Sequence, residues 1–127
     1  MMDDGMTRNL LTGINAPLDS RNLTDLEKTH LPWIFAPPTV KLNEPFDVTV
    51  EVGRLRAHPI APGHFIWSIE LYADETRLAK VEFPQAASHP AVKLRVSLPF
   101  PAKELRVYPS CSMHGTWVGR RPITVVA

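Results

Sequence analysis

Residues 46–52 of this chain read Phe46-Asp47-Val48-Thr49-Val50-Glu51-Val52, with every even position apolar and every odd position polar. Successive side chains of a β-strand point to opposite faces of a sheet, so this alternation predicts a strand with one buried face. A helix would instead carry apolar residues every three to four positions. The segment therefore indicates that the chain folds around a β-sheet.

Six further runs of strand-forming residues flank this segment and are separated by Pro, Gly and Asp clusters. They are Thr39–Leu42, Phe65–Tyr72, Leu78–Phe83, Val92–Leu98, Glu104–Tyr108 and Ile123–Val126. The 13 prolines of the chain lie between apolar runs, where they disfavour long helices. We therefore predict an all-β fold, an immunoglobulin-like antiparallel β-sandwich of about seven strands. Its inner faces should bury Val48, Val50, Ile69, Leu71, Leu94 and Val96.

The residues before the first strand divide into two parts. Residues 1–20 show no sustained periodicity, and we expect them to form a flexible N-terminal arm. Thr24-Asp25-Leu26-Glu27 fits a capping box and predicts a short helical turn near residues 24–30, which Pro32 ends. The expected organisation is an arm over residues 1–20 and a β-sandwich domain over residues 21–127.

Composition excludes several classes of partner. The chain has 127 residues, the length of one ordinary domain, and a formal net charge of +1, too balanced to indicate nucleic acid or an anionic membrane surface. No apolar run reaches the length of a signal peptide or a membrane span, so we expect a cytoplasmic protein. Cys111, the single cysteine, cannot form an intramolecular disulfide.

Cys111-Ser112-Met113-His114-Gly115-Thr116-Trp117 lies between two predicted strands. The spacing of Cys111 and His114 lets a thiolate and an imidazole from one turn reach the same metal ion. Taken alone, this pattern fits a buried cysteine near a hydrogen-bonded histidine about equally well.

His58-Pro59-Ile60-Ala61-Pro62-Gly63-His64 adds two imidazoles on a loop that two prolines and a glycine stiffen. A rigid loop loses little conformational entropy when its side chains bind a metal ion. Two surface histidines flanking a loop are the simpler interpretation of this segment alone. His30 is ambiguous by itself, and we predict that His89, between Ser88 and Pro90, is exposed to solvent.

Four histidines and the cysteine nevertheless lie in loops that border the same few strands, so they could converge on one site. One thiolate with four neutral imidazoles exceeds the four ligands of a structural zinc site and favours a redox-active first-row metal, above all iron. Five protein ligands leave one octahedral position open to a small molecule. We therefore predict an iron-binding domain with chemistry at the open position.

Three motifs, in order along the chain, resemble those of the superoxide reductases, which include neelaredoxin and the catalytic domain of desulfoferrodoxin. Glu27-Lys28-Thr29-His30-Leu31-Pro32 resembles the family's Glu-Lys-His-x-Pro. The segment from His58 to His64 and the following Phe65-Ile66-Trp67-Ser68-Ile69-Glu70-Leu71-Tyr72 resemble its two-histidine loop and strand. Residues 111–117 resemble its Cys-Asn-x-His-Gly-x-Trp.

The resemblance implies an immunoglobulin-like sandwich that reduces superoxide to hydrogen peroxide at one iron ion (Fe2+/Fe3+) per chain. It implies four equatorial ligands, His30, His58, His64 and His114, with Cys111 as the axial ligand. In the family the glutamate closes the sixth position of the oxidised site, and the lysine presents positive charge beside it. These roles would fall to Glu27 and Lys28, although Thr29 separates Lys28 from His30. Glu27 could instead simply cap the helix at Thr24.

The absence of further cysteines implies a one-iron form without a desulforedoxin-like module. We also expect an external electron donor such as rubredoxin or another small reductant, and a homo-oligomer, either a dimer or a tetramer. Two other classes fit the same sequence. One is a cupredoxin-like electron-transfer protein, which would use the late Cys-x-x-His turn but would leave three histidines unused. The other is a non-catalytic β-sandwich carrier or interaction domain, which would leave all five candidate ligands unexplained.

Overall fold

The computed structural model describes residues 9–84, 86 and 89–127. Within these residues the chain forms one short helix, α1, and eleven strands, β1 to β11. Their bounds are β1 Ile14–Asn15, α1 Asp25–His30, β2 Pro32–Phe35, β3 Thr39–Lys41, β4 Phe46–Val52, β5 Ile66–Ala73, β6 Thr76–Glu82, β7 Ala91–Val96, β8 Glu104–Cys111, β9 Gly115–Trp117, β10 Gly119–Pro122 and β11 Thr124–Val126. A helix long and apolar enough to cross a membrane is not found among the described residues.

The strands form one large sheet and two small ones. The large sheet has six strands; five follow the order β1-β9-β8-β5-β6, and β10 also pairs with β8, along residues 104–107. A three-stranded sheet has the order β2-β4-β7, and β11 pairs with β3 in a two-stranded sheet. Neighbouring strands are antiparallel except for the pairs β1–β9 and β11–β3, which are parallel.

The core lies between the large sheet and the three-stranded sheet. In β4 every second residue from Phe46 to Val52 is buried, as the alternation predicts, and Val48 and Val50 are fully buried. Ile69 and Leu71 of β5 belong to the same buried cluster. The predicted all-β sandwich is therefore confirmed, and its core joins residues from opposing sheets.

All seven predicted strands are present, with ends that differ by a few residues. Four further strands, β1, β2, β9 and β10, were not predicted. They have two to four residues each, and three of them contain Pro or Gly, which obscures a period of two. Leu94 and Val96 are half-buried rather than fully buried, because β7 is an edge strand of the small sheet.

Residues 10–15, which lie within the expected N-terminal arm, contact the large sheet. Leu10 and Asn15 are buried, and β1 adds to the large sheet by pairing with β9. The side-chain amide of Asn15 donates to the carbonyl oxygens of Leu10 at 2.7 Å and Thr116 at 3.0 Å. This part of the arm packs because polar side-chain and backbone groups pair across it, which no local periodicity reveals. Residues 1–8 lie outside the described residues.

Candidate metal centre

Three chain segments bring candidate ligands to one end of the sandwich. His30 is the last residue of α1, His58 and His64 lie on the loop between β4 and β5, and Cys111 is the last residue of β8. One ligand atom from each of these four residues lies within 4.8 Å of those of the others. Among the described residues, these four form a group that could hold a metal ion.

His114 borders this group on the turn between β8 and β9. Its Nδ1 atom is 3.8 Å from Cys111 Sγ, and its ring centroid is 4.9 Å from those of His30 and His64. The side chains of all five predicted ligands therefore lie in one cluster. The fifth histidine, His89, is exposed and pairs with Glu51 through Nε2 and Oε2 at 3.3 Å, outside the cluster, as we expected.

Backbone carbonyls orient the rings of His30 and His58. His30 Nδ1 is 2.8 Å from the carbonyl oxygen of Leu26, and His58 Nδ1 is 2.8 Å from that of Pro59. A carbonyl oxygen can only accept, so each Nδ1 carries the proton and each Nε2 keeps a lone pair. The two Nε2 atoms face each other at 3.2 Å. Metal–nitrogen bonds of about 2.1 Å at right angles would put two ligands about 3 Å apart, so this spacing fits a shared cation.

His64 carries an unsatisfied polar atom at the same place. Its Nε2 is buried and has no hydrogen-bond partner among the described residues. The ring lies edge-on to His58 and His114, with centroid separations of 5.1 Å and 4.9 Å. Buried polar atoms are normally paired, so an orphaned nitrogen within a histidine cluster fits coordination to a metal ion.

Burial keeps the cluster in a form ready to bind a cation. Burial lowers the pKa of His30 to about 4, and the neighbouring histidines add to the effect. Burial also lowers the pKa values of His58 and His114. These three imidazoles are therefore neutral at pH 7, the form in which histidine binds metals.

Cys111 is a free, buried thiol. Burial raises its pKa, while hydrogen bonds from the backbone N–H groups of Met113 and His114 lower it. A cation in the cluster would favour the thiolate over the thiol. The donor set is thus one soft sulfur with four borderline nitrogens, which suits a first-row transition metal.

Glu27 and Lys28 lie on α1, one turn or less before His30. Glu27 is fully buried, and its carboxylate accepts from the backbone N–H of Thr24 at 2.9 Å and of Leu18 at 3.0 Å. The hydroxyl of Thr24 accepts from the N–H of Glu27, which completes the predicted capping box. The structure therefore places both Glu27 oxygens at the start of the helix. Lys28 is half-buried.

The sequence analysis assigned no role to two residues that lie beside the cluster. Trp117 is fully buried against His30, and Ser112 joins the two loops that carry His64 and Cys111. The motif over residues 111–117 contains both residues. A search of that motif for large aromatic side chains would have found Trp117, but nothing local predicts the partner of Ser112.

Comparison with known proteins gives a consistent result. The desulfoferrodoxin family model matches residues 22–120. A protein of Methanocaldococcus jannaschii that carries the provisional name superoxide reductase is 41% identical over 97 residues, which are 74% of this chain and 81% of that protein.

Solved structures agree with the sequence match. The superoxide reductase (neelaredoxin) from Ignicoccus hospitalis is 32% identical with a TM-score of 0.75, and the match covers 89% of this chain and 95% of that one. A structure from Thermotoga maritima, 23% identical with a TM-score of 0.73 over 90% and 95% of the two chains, supports the fold.

Proposed function

The chain belongs to the desulfoferrodoxin family, and on this premise we propose that it is a superoxide reductase. The reaction is the one-electron reduction of superoxide to hydrogen peroxide, which consumes one electron and two protons for each superoxide anion. The observation that carries the proposal is the convergence of one thiol and four imidazoles, with the lone pairs of His30 and His58 facing each other at 3.2 Å.

We assign the metal ligands as His30, His58, His64, His114 and Cys111, and the metal as one iron ion per chain. Five ligands exceed those of a tetrahedral zinc site, and one thiolate among nitrogens suits iron. When bound, iron would supply the electron and an open position for superoxide. The carbonyls of Leu26 and Pro59 hold the rings of His30 and His58 so that their Nε2 atoms point to the shared position.

We propose that Lys28 supplies positive charge near the open coordination position. Its side chain is half-buried on the helix that ends at His30, and an ammonium group there would attract a small anion and could donate a proton. Glu27 would have to leave both of its backbone partners to reach a metal ion. We therefore assign Glu27 the task of holding α1, and through it His30, in place.

The catalytic cycle needs a partner, because each superoxide reduced consumes one electron that the site must regain from a reductant. We propose an external one-electron donor, such as rubredoxin or another small reductant. A reducing compartment such as the cytoplasm would keep Cys111 from being oxidised, so that it stays available to bind the metal. We also propose that the protein forms a homo-oligomer, either a dimer or a tetramer.

The proposal is tested by iron content together with rapid kinetics. The protein should purify with about one iron per chain after iron-supplemented expression. After reduction it should consume superoxide in a fast second-order reaction, with one electron taken from the donor per superoxide and no oxygen released. Oxygen release would indicate dismutation instead. Stoichiometric copper with a narrow thiolate hyperfine pattern in electron paramagnetic resonance would indicate a cupredoxin-like site.

A further inference from the structure

We propose that Ser112 is a positioning residue that keeps Cys111 and His64 in register at the metal centre. The inference rests on the part of the proposed function that makes these two residues ligands of one ion. It does not depend on which reaction that ion performs. Ser112 has no assigned role in the reaction described above, and its hydroxyl forms hydrogen bonds with the backbone of the loop that carries His64.

Ser112 makes hydrogen bonds on both sides of His64 in sequence. Its hydroxyl donates to the carbonyl oxygen of Gly63 at 3.0 Å and accepts from the N–H of Phe65 at 3.0 Å. Its own N–H donates to the carbonyl oxygen of Phe65 at 3.0 Å. Ser112, which follows the proposed ligand Cys111, thus binds Gly63 and Phe65, which flank the proposed ligand His64.

The position of these bonds explains why they matter. The antiparallel pairing of β5 with β8 reaches its last register pair at Ile66 and Cys111, and a register irregularity lies between Ile66 and Ser68. Beyond that irregularity, the hydrogen bonds of Ser112 join the end of β8 to the loop that carries His64. A turn of the chain at Gly63, with a φ angle of 78°, and the bridge between Ala61 and His64 shape the rest of that loop.

A hydroxyl is suited to this position because it donates one hydrogen bond and accepts another at the same time. Gly63 offers an acceptor and Phe65 offers a donor, so one oxygen atom connects both. Alanine would lose both connections while keeping the backbone bond to Phe65. Ligands must be held within about half an ångström for tight binding, and outer contacts of this kind typically alter metal affinity by about 10- to 100-fold.

The test compares the iron-loaded wild type with three variants. Ser112→Ala removes the hydroxyl, and Ser112→Thr keeps it. Asp74→Ala is the matched control, because Asp74 makes the same kind of connection at the opposite end of the β5–β8 pair. Its carboxylate accepts from the N–H groups of Lys103 and Glu104 at 3.0 Å and 3.1 Å.

Iron release into an excess of chelator is the first measurement, and the sulfur-to-iron charge-transfer band of the oxidised protein is the second. We expect Ser112→Ala to release iron about tenfold faster and to shift the band, because the cysteine and histidine ligands no longer move together. Ser112→Thr should restore both values. Asp74→Ala should lower the thermal midpoint but leave the band where it is in the wild type.

Two results overturn the proposal. One is Ser112→Ala with wild-type iron release and an unshifted band. The other is a loss of thermal stability in Ser112→Ala that is equal with and without iron, since that would be a purely structural effect. A wild type that binds iron but does not reduce superoxide refutes the proposed function and leaves the comparison of iron release intact.

Discussion

The indole ring of Trp117 lies against the imidazole ring of His30, with centroids 5.0 Å apart and an angle of 21° between the planes. The indole N–H donates to the carbonyl oxygen of His114 at 2.9 Å. Trp117 is fully buried and packs in a small second core with Leu10 and Leu31. One side chain therefore supports two proposed ligands, His30 at the end of α1 and His114 on the β8–β9 turn.

Replacing Trp117 with leucine should destabilise the protein strongly. The change opens a cavity beside His30 and leaves the His114 carbonyl without its indole donor, so we expect a loss of about 3 kcal/mol in the free energy of unfolding. Chemical denaturation of the metal-free protein measures this loss. Trp67→Leu is the control, because Trp67 is 39% exposed and contacts Lys80 at the surface, and it should lose less than about 1 kcal/mol. Equal losses in the two variants would contradict the supporting role of Trp117.

Glu27→Ala should destabilise even the metal-free protein. The substitution removes the acceptor of the part-buried backbone N–H groups of Thr24 and Leu18. We expect the free energy of unfolding to fall by about 2 kcal/mol. Asp25→Asn serves as the control on the same helical turn, because Asp25 is exposed and should lose less than about 0.5 kcal/mol. Unchanged stability of the metal-free variant, together with an altered spectrum of the iron-loaded one, would favour a ligand role for Glu27.

Gly115→Ala should displace the segment over residues 10–15. Gly115 has a φ angle of 76°, and a Cβ atom there would lie 1.9 Å from the carbonyl oxygen of Leu10. Gly63 is a matched control, since its φ angle is 78° and no described heavy atom lies within 4 Å of its Cβ position. Backbone strain alone should make Gly63→Ala lose about 1 kcal/mol, whereas Gly115→Ala should lose about 3 kcal/mol or more.

Hydrogen exchange at one amide reports on the same displacement. The N–H of Val118 donates to the carbonyl oxygen of Asn15 at 3.0 Å, and this amide should exchange faster in Gly115→Ala than in Gly63→Ala. The same exchange rate in both variants would mean that residues 10–15 remain in place.

The metal-free protein should lose stability as the pH falls from about 6.5 toward 4. Because burial lowers the pKa of His30 to about 4, the unfolded state binds more protons than the folded state in this range. Stability then decreases with decreasing pH, and His58 and His114 act in the same direction. We expect a free energy of unfolding about 2 kcal/mol lower at pH 5 than at pH 7.

Denaturant unfolding at the two pH values measures this dependence. Hydrogen bonds from arginines lower the pKa values of Asp47 and Glu104, but these carboxylates affect stability mainly below pH 5, so the chosen range isolates the histidines. His30→Gln should flatten the dependence, whereas His89→Gln, outside the cluster, should leave it as in the wild type. A flat profile for the wild type would show that the pKa values of these histidines are the same in the folded and unfolded states.

Lys28→Gln should slow the reaction of the reduced, iron-loaded protein with superoxide several-fold. The variant should also show a weaker dependence of the rate on ionic strength, because one charge that attracts the anion is gone. Lys103→Gln is the control, since Lys103 precedes β8 at the end opposite Cys111. Pulse radiolysis over a series of salt concentrations compares the two. If both variants retain the wild-type rate, Lys28 has no part in attracting the substrate.

Several features of this protein follow from the sequence alone. The alternation over residues 46–52 determines a half-buried strand, because the side chains of extended backbone must point alternately to two faces. The capping box at Thr24 and Glu27 determines where α1 begins, since its hydrogen bonds link residues three positions apart. The short spacings from His58 to His64 and from Cys111 to His114 likewise place each pair of side chains on one turn or loop.

Other features depended on contacts between distant segments. The pairing of β5 with β8 brings the loop of His64 to Cys111, and the packing of α1 brings His30 to within 3.2 Å of His58. The burial of Leu10 and Asn15 accompanies the parallel pairing of β1 with β9, and a strand of two residues is too short to show a periodicity in the sequence. Local patterns determined which groups could act, because they reflect covalent spacing. The tertiary structure decided which of them meet, because strand pairing and core packing join residues that lie far apart in the chain.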